Sequence, residues 1–183
     1  MILLPGLVMR SFAKFFFCLC FVYGSFSLTA QNNDDSTFIW QKNIYQDTVS
    51  PYFALSDVNG NFWCSDSLKG KVIVLNFWSI YCPPCISELP ELNKIPLQFS
   101  EDSVVFISVL FEKGKTADSL VNHHEFKYHL AMNGRQIMGD YYNNCFPTHI
   151  IIDRSGIIRY NSCGVVNRNI LIPEIKRALS LAK

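Results

Sequence analysis

The strongest constraint on the fold is an unbroken apolar segment that leads into a pair of closely spaced cysteines. The segment Val72–Trp78 is rich in β-branched residues, which is typical of a strand buried on both faces, as in the centre of a parallel sheet. Cys82-Pro83-Pro84-Cys85 follows, and apolar residues then recur at three-residue steps as far as Ile95. Proline is accepted in a first helical turn because its missing N–H is not needed there. The pattern therefore predicts a strand that ends just before a C-x-x-C turn, and a helix over residues 83–95.

Alternating strand and helix patterns continue along the chain. An Asn59-Gly60 turn between two short apolar stretches predicts a β-hairpin over residues 52–64, because both turn residues tolerate positive φ. Further strands are expected at 103–111, 127–131, 148–153 and 157–161, and further helices at 116–126 (capped by Thr116), 135–142 and 170–181. This order predicts one α/β domain with a mixed central sheet flanked by helices and an N-terminal β-hairpin extension.

The first thirty residues have the pattern of a secretory signal peptide. Two basic residues, an apolar run over 15–23 and then small residues precede a polar stretch. An uncleaved membrane anchor is the alternative, although the apolar run is shorter than the roughly 20 residues that a spanning helix needs. Translation can start at Met1 or at Met9. We expect a signal peptide over residues 1–30, an N-terminal arm or edge strand over 31–50, and the folded domain over 51–183.

Composition and charge narrow the class of function. The chain has 16 Lys and Arg residues against 15 Asp and Glu residues, so its net charge is +1 and it has no general attraction to nucleic acid. Removal of residues 1–30 would leave five of the seven cysteines. Export implies an oxidising compartment, where cysteine pairs form disulfides, and an odd number leaves at least one thiol unpaired within the chain. We predict no cofactor and no nucleic-acid partner.

The position of the cysteine pair has a chemical consequence. Free N–H groups and the macrodipole at the start of a helix stabilise a thiolate and lower the pKa of a thiol placed there. Cys82 precedes the first turn and is expected to be the exposed nucleophile. Cys85 lies one turn into the helix and can resolve a mixed disulfide. The pattern therefore predicts thiol–disulfide exchange.

Three other roles for the pair stay open on the residues alone. A purely structural disulfide is one, although a strand–helix junction is an unusual place for it. A zinc site would need a second ligand pair at short spacing, which Cys145 and Cys163 do not supply, so no metal site is predicted. A peroxidatic cysteine would follow the pattern Pro-x-x-x-Thr-x-x-Cys, but Leu75 stands at the proline position and Ser79 at the threonine position.

Short motifs on both sides of the cysteine pair add to this picture. They are Gly70-Lys71, Asn76-Phe77-Trp78, Glu88-Leu89-Pro90, Phe146-Pro147-Thr148 and Asp153-Arg154-Ser155-Gly156. Together with Cys82 and Cys85 they resemble the exported TlpA/ResA branch of thioredoxin-like thiol–disulfide oxidoreductases, over roughly residues 52–182. The resemblance implies a thioredoxin-like fold and the reduction of protein disulfides with electrons from a membrane-bound donor. Cytochrome c maturation or general disulfide repair would be the context.

The resemblance also implies roles for single residues. Pro147 would follow a cis peptide bond beside the cysteines, and Phe146 would offer its backbone to a substrate peptide. Glu88 would be buried near Cys85 and help to move its proton, whereas an exposed first-turn glutamate is the alternative. Asn76 stands where cytosolic thioredoxins carry a buried aspartate. Trp78 is expected beneath the active-site loop, and the substrate-binding residues are expected to be Trp78, Tyr81, Pro83, Phe146 and Pro147.

The remaining cysteines and one histidine have open roles. Cys145 and Cys163 can meet on neighbouring strands as a second disulfide, while Cys64 is interpreted as a buried thiol or an intermolecular partner. His149 lies on a strand near the site, where a copper carrier would use it with the cysteines. A disulfide oxidase or isomerase, a thiol peroxidase and a partner-binding module are rival functions for the same chain. Our prediction is an exported monomeric enzyme, periplasmic in a Gram-negative source, that acts on protein disulfides.

Overall fold

The structure is a computed structural model that describes residues 41–42, 46–132, 134–141 and 144–181. The predicted signal peptide over residues 1–30 and most of the predicted arm over 31–50 lie outside these ranges, so both remain predictions. No helix within the described ranges is both long and apolar enough to cross a membrane.

Strands and helices alternate along the described residues. The strands are β1 (Gln41–Lys42), β2 (Ala54–Ser56), β3 (Phe62–Cys64), β4 (Val72–Trp78), β5 (Val104–Leu110), β6 (His129–Ala131), β7 (Thr148–Ile152) and β8 (Ile158–Cys163). The helices are α1 (Pro83–Leu92), α2 (Lys115–His123), α3 (Arg135–Asp140) and α4 (Arg168–Ser180), with a 3₁₀ turn at Pro96–Gln98. The predicted element order is confirmed.

Six of these strands form one mixed sheet in the order β1-β8-β7-β4-β5-β6. β5 runs parallel to its neighbours β4 and β6, while β7 runs antiparallel to both β4 and β8. Every residue of β4 and β5 is buried, as the near-continuous apolar runs predicted. The mixed central sheet is confirmed, although the expected parallel pairing of β4 holds on its β5 side and not on its β7 side.

The predicted N-terminal hairpin is confirmed as β2 and β3, which form a separate two-stranded antiparallel sheet. Gly60 has a φ of +85°, a left-handed conformation that glycine adopts without steric cost. The buried carboxylate of Asp57 accepts the N–H groups of Asn59 and Asn61, each at 2.9 Å, and the indole N–H of Trp63 at 3.0 Å. One aspartate therefore holds the turn together.

Helix boundaries differ from the predictions where capping decides them. α1 ends at Leu92 rather than at residue 95, and α2 ends at His123 rather than at 126. The N-cap of α2 is Gly114, whose φ of +94° suits glycine and breaks the chain direction just before the helix. The prediction that Thr116 caps this helix is wrong, because Thr116 lies inside its first turn.

The two faces of the central strands pack against different elements. The face that carries the odd-numbered residues of β4 packs against the hairpin and α3. Near the start of β4, the opposite face packs against α4 and the end of α1. Near the end of β4, Trp78 on this face packs against Cys85. The cysteine pair therefore lies on this second face, at the carboxyl end of β4.

Candidate active site

The end of β4 leads to the cysteine pair at the first turn of α1. Cys82 is the N-cap residue, and the Cys85 N–H donates to the Cys82 sulfur at 3.2 Å. The two cysteines form a disulfide with 5.3 Å between their Cα atoms. Cys82 is half-buried, whereas only 1% of Cys85 is exposed. The predicted junction and the predicted difference in exposure are both confirmed.

The first turn of α1 favours a thiolate at Cys82 when the disulfide is reduced. Pro83 and Pro84 occupy the first two helical positions and have no N–H. The Cys85 N–H is therefore the first helical donor available to the Cys82 sulfur, and it points at that sulfur. No acidic residue lies in this first turn to oppose a negative charge. The arrangement suits a nucleophilic Cys82 and a sheltered Cys85.

Glu112 anchors the loop between β4 and the cysteines. Its carboxylate accepts the Ser79 hydroxyl at 2.5 Å and the Ile80 N–H at 3.0 Å, and the Ser79 oxygen accepts the Tyr81 N–H at 3.1 Å. Sequence reasoning missed this contact, because Glu112 is 33 residues from Ser79. The available signal was the parallel pairing of the two central strands, which brings the residues that follow them to the same edge of the sheet.

The predicted substrate-binding residues next to the cysteines divide into a buried one and two exposed ones. Trp78 has no exposed surface, and its ring lies 5.6 Å from the Phe126 ring, centroid to centroid. It packs with Cys85 and Cys82, so its expected place beneath the loop is confirmed, while its predicted contact with substrate stays a prediction. Tyr81 is 76% exposed and Pro83 is also exposed. Their contact with substrate stays a prediction.

A second loop of the site contains the predicted cis peptide bond, between Phe146 and Pro147. Phe146 is half-buried and packs against the same apolar cluster as Cys82. Its ring also meets the Phe111 ring edge-on, with 5.7 Å between centroids. Pro147 is buried, and its carbonyl accepts the Gly164 N–H at 2.8 Å. The structure thus brings this loop to the cysteine pair, while its pairing with a substrate backbone stays a prediction.

A second disulfide joins Cys145 to Cys163, with 5.8 Å between their Cα atoms, as the sequence allowed. It ties the loop that contains Pro147 to the end of β8. The Thr148 hydroxyl donates to the Cys145 carbonyl at 2.8 Å and holds the same loop from the other side. The loop is therefore fixed covalently before the proline and by a hydrogen bond after it.

The buried position of Glu88 is confirmed, and the exposed alternative is wrong. Only 4% of Glu88 is exposed, since α1 turns this side chain toward the sheet. Nε2 of His149 lies 3.2 Å from one carboxylate oxygen and 3.3 Å from the other. The Asn76 amide nitrogen lies 3.4 Å from Oε1. The part that Glu88 plays in proton transfer stays a prediction.

Glu88 faces a row of polar side chains that crosses four strands of the sheet, here called the polar row. It consists of Ser108 on β5, Asn76 on β4, His149 on β7 and Ser162 on β8, which are direct neighbours in the strand register. Direct cross-strand neighbours point to the same face, and each of the four is at most 2% exposed. Sequence reasoning missed this row. Its signal was the single polar residue within each of the apolar runs of β4 and β5. The strand register then shows that His149 and Ser162 continue the same row.

A sequence model of the AhpC/TSA family matches residues 47–161. This range is more than half of the chain and contains Cys82, Cys85, Glu88 and Pro147. The chain belongs to the AhpC/TSA family. The match ends before Cys163, so the second disulfide joins a cysteine within the AhpC/TSA range to one beyond it.

The chain is also similar to named thioredoxin-like proteins. The thiol–disulfide oxidoreductase ResA of Bacillus thuringiensis (strain Al Hakam) is 32% identical over 109 residues, which cover 58% of this chain and 63% of ResA. The thioredoxin-like protein YneN of Bacillus subtilis (strain 168) is 25% identical over 129 residues, or 68% of this chain and 75% of YneN. This chain thus matches about 63% of the length of that ResA relative. The predicted resemblance to the ResA type is confirmed.

A solved structure agrees on the fold of this AhpC/TSA family member. The thiol:disulfide interchange protein, a thioredoxin family protein of Chlorobium tepidum TLS, superimposes with a TM-score of 0.64 at 23% sequence identity. The match covers 74% of this chain and 98% of that protein. The predicted thioredoxin-like fold is confirmed.

Cys64, at the end of β3, is the free cysteine of the described residues and is half-buried rather than buried. Hydrogen bonds with Ser67 lower the pKa of its thiol, and the bond with the Ser67 side chain has a larger effect than the bond with the backbone. The prediction of a buried thiol is therefore wrong in degree, and that of an intermolecular partner stays a prediction.

Proposed function

We propose that this chain is a thiol–disulfide oxidoreductase that reduces disulfides in proteins through Cys82 and Cys85. The arrangement of the two sulfurs carries the proposal, since one is half-buried at the N-cap of α1 and the other, 1% exposed, lies one turn inside. This division suits attack by the first sulfur and resolution by the second. Similarity to a relative named thiol–disulfide oxidoreductase supports the same chemistry.

The proposed reaction begins with the pair reduced. The Cys82 thiolate attacks one sulfur of the substrate disulfide, which forms a mixed disulfide and releases the other substrate sulfur as a thiolate. Cys85 then gives its proton to Glu88 and attacks the Cys82 sulfur, which closes the Cys82–Cys85 disulfide and releases the second substrate thiolate. Two electrons pass to the substrate, and its two thiolates take up two protons. A dithiol on a donor protein must then reduce the pair again.

Substrate proteins are proposed to bind across the two loops of the site. Tyr81 and Pro83 present exposed surface on the cysteine side. Phe146 and Pro147 lie on the other side, where an extended substrate segment would pair with the backbone of the loop as an added strand. Both loops are anchored, one by Glu112 and the other by the second disulfide, so a substrate would meet a preformed surface.

We further propose that the chain is exported and works as a monomer in the periplasm of a Gram-negative cell. The signal pattern over residues 1–30 supports export, with retention as an anchor being the alternative. The disulfide between Cys145 and Cys163 fits an oxidising compartment. A membrane-bound dithiol protein would supply electrons, and the substrates would be proteins in cytochrome c maturation or in general disulfide repair.

The reduction potential of the Cys82–Cys85 pair tests the proposal. A Cys64→Ser variant is equilibrated with defined ratios of reduced and oxidised dithiothreitol, and its thiols are alkylated with two isotopic labels. Trypsin cuts after Lys71 and Lys94, so one peptide contains both active-site cysteines and neither of the others, and mass spectrometry reads its redox state. Insulin reduction by the wild type and by Cys82→Ser is measured in parallel.

We expect a potential near that of thioredoxin, about −270 mV, and insulin reduction that the Cys82→Ser substitution abolishes. A potential near about −120 mV would instead identify an oxidase, and it would reverse the proposed direction of electron flow. Insulin reduction at the wild-type rate in Cys82→Ser would refute the role of the pair. Consumption of hydrogen peroxide without a protein disulfide substrate would favour a thiol peroxidase.

A further inference from the structure

The hydrogen-bond directions around the polar row favour one position for the proton on His149. Asn76 Oδ1 accepts the Ser108 hydroxyl at 3.4 Å, so the Asn76 amide nitrogen faces Glu88 and Nδ1 of His149, each at 3.4 Å. An amide nitrogen donates two hydrogens and accepts none. Nδ1 of His149 is therefore an acceptor, and the ring proton lies on Nε2, the nitrogen that faces Glu88.

The burial of Glu88 makes these donors necessary. A carboxylate removed from water is costly unless hydrogen-bond donors satisfy its oxygens. Two side chains in the described part of the chain donate to Glu88, namely His149 and Asn76. His149 is fully buried, and its Nε2 lies within 3.3 Å of both carboxylate oxygens. It is therefore the nearer of the two donors and the one that contacts both oxygens.

The remaining polar groups around this pair are uncharged. Tyr128 lies in the segment before β6. Burial is the larger cause and the charge of Glu88 the smaller cause of a raised pKa of its phenol, which therefore stays neutral. Ser108 on β5 donates to Asn76, and Ser162 on β8 carries a buried hydroxyl. Cys85 lies one turn before Glu88 on α1, on the same side of the helix. No lysine or arginine in the described residues is paired with Glu88, and His149 would form an ion pair with it only if its ring were protonated.

We propose that His149 is a positioning residue for Glu88, held by Asn76 as the neutral Nε2–H form that donates to the Glu88 carboxylate. This inference rests on the proposed function, in which Glu88 accepts the Cys85 proton. The donated hydrogen bond stabilises the charged form of Glu88 in a buried site and fixes the direction of its oxygens. Glu88 is thereby kept as a base at the moment when Cys85 must lose its proton.

The proton balance of the resolving step follows from this arrangement. Cys85 gives one proton to Glu88, the negative charge moves from the carboxylate to the Cys85 sulfur, and the total charge of the site does not change. The thiolate then attacks the Cys82 sulfur, and the charge leaves on the substrate thiolate. Glu88 finally returns its proton to solvent or to that thiolate. His149 remains neutral throughout and neither gains nor loses a proton.

The test separates the resolving step from the first attack. Reduced protein in a Cys64→Ser background is mixed with dithionitrobenzoate in a stopped-flow instrument. Release of the first thionitrobenzoate reports attack by Cys82, and release of the second reports resolution by Cys85. Both rates are followed from about pH 4 to about pH 9 for the wild type, His149→Leu, His149→Gln, Glu88→Gln and His123→Leu.

Loss of the donor should move the pH midpoint of resolution and not that of the first attack. His149→Leu is expected to raise this midpoint by about one unit or more, which slows resolution about tenfold below the midpoint. His149→Gln keeps an N–H donor and is expected to restore most of this loss. Glu88→Gln removes the proton acceptor and should slow resolution by about 10²–10⁴-fold. His123→Leu is the matched control, because it makes the same change at an exposed position on α2, and it should follow the wild type.

A second measurement does not depend on any variant being folded. The ring nitrogens of His149 in the ¹⁵N-labelled wild type are expected to show a protonated Nε2 and an unprotonated Nδ1 at neutral pH. A doubly protonated ring, or a His149→Leu variant that resolves with the wild-type midpoint, would overturn the inference. Failure of the proposed function is a different result, because the wild type itself would then not reduce insulin.

Discussion

Removal of the Cys145–Cys163 disulfide is expected to destabilise the fold by about 3 kcal/mol. The bridge closes a loop between residues separated by 18 positions, and closure of a loop of this length removes that much entropy from the unfolded chain, about 3 kcal/mol at room temperature. A domain of this size is stable by about 5–15 kcal/mol, so the loss is a substantial fraction. It corresponds to a fall of about 6–12 °C in the melting temperature.

The assay compares the wild type with a Cys145→Ala, Cys163→Ala double variant by urea and thermal unfolding. Reducing agent is left out, so that the Cys82–Cys85 disulfide stays closed in both proteins. Cys64→Ser is the matched control, because it removes the free thiol without opening a covalent loop, and it should change stability by no more than about 0.5 kcal/mol. The slope of the urea transition shows whether the denatured state has also expanded.

Two results would refute the reasoning about this disulfide. One is an unchanged unfolding midpoint in the double variant, which would mean that the bridge does not restrict the unfolded chain. The other is alkylation of Cys145 and Cys163 themselves in the oxidised wild type, which would mean that these two cysteines are not bonded. The loss should also lower the affinity for substrate, because Pro147 lies two residues from the bridge and relies on it for its position.

Three further predictions concern single residues. Burial alone would raise the pKa of Asp153, but hydrogen bonds from Ile157, Arg159 and Ser155 lower it overall. The ionised carboxylate therefore stabilises the fold fully above the unfolded-state pKa of about 3.9. This stabilisation is lost as the pH falls through the lower, folded-state pKa. Asp153→Asn should therefore cost about 2–3 kcal/mol at neutral pH, and urea unfolding at several pH values should show this difference shrinking below about pH 4. Trp78→Ala should destabilise the fold by about 3–5 kcal/mol, because the side chain is fully buried. Tyr81→Ala should leave stability within about 0.5 kcal/mol but raise KM for a protein substrate, and a KM equal to that of the wild type would remove Tyr81 from the binding surface.

The central strands could be predicted because their signal is local. An apolar, β-branched run is strongly favoured to form a buried strand. The sequence therefore predicts β4 with its observed bounds and β5 to within one residue at each end. Helix ends were less predictable, since they depend on which residue takes the cap. Gly114 takes the cap of α2 through a positive φ that the spacing of apolar residues does not encode, and Thr116 was assigned in its place.

The same distinction applies to the site. Cys82 and Cys85 could be found because both lie within one turn of one helix, and Pro147 because it sits in a short motif. Glu88 and His149 are 61 residues apart, and their contact depends on β7 pairing with β4 in a particular register. No local pattern records that register, so the partner of Glu88 became visible only in the folded chain.

The identity of residue 76 determines whether one buried acid or two would lie beside the cysteine pair. The resemblance places Asn76 where cytosolic thioredoxins would have an aspartate, and Asn76 lies 3.4 Å from the Glu88 carboxylate. An aspartate there would place two negative charges side by side in a buried site, and one of them would have to remain protonated. Asparagine avoids this repulsion, and its two amide hydrogens serve Glu88 and Nδ1 of His149 together. Asn76 is therefore compatible with an ionised Glu88 and with the hydrogen-bond direction proposed for His149.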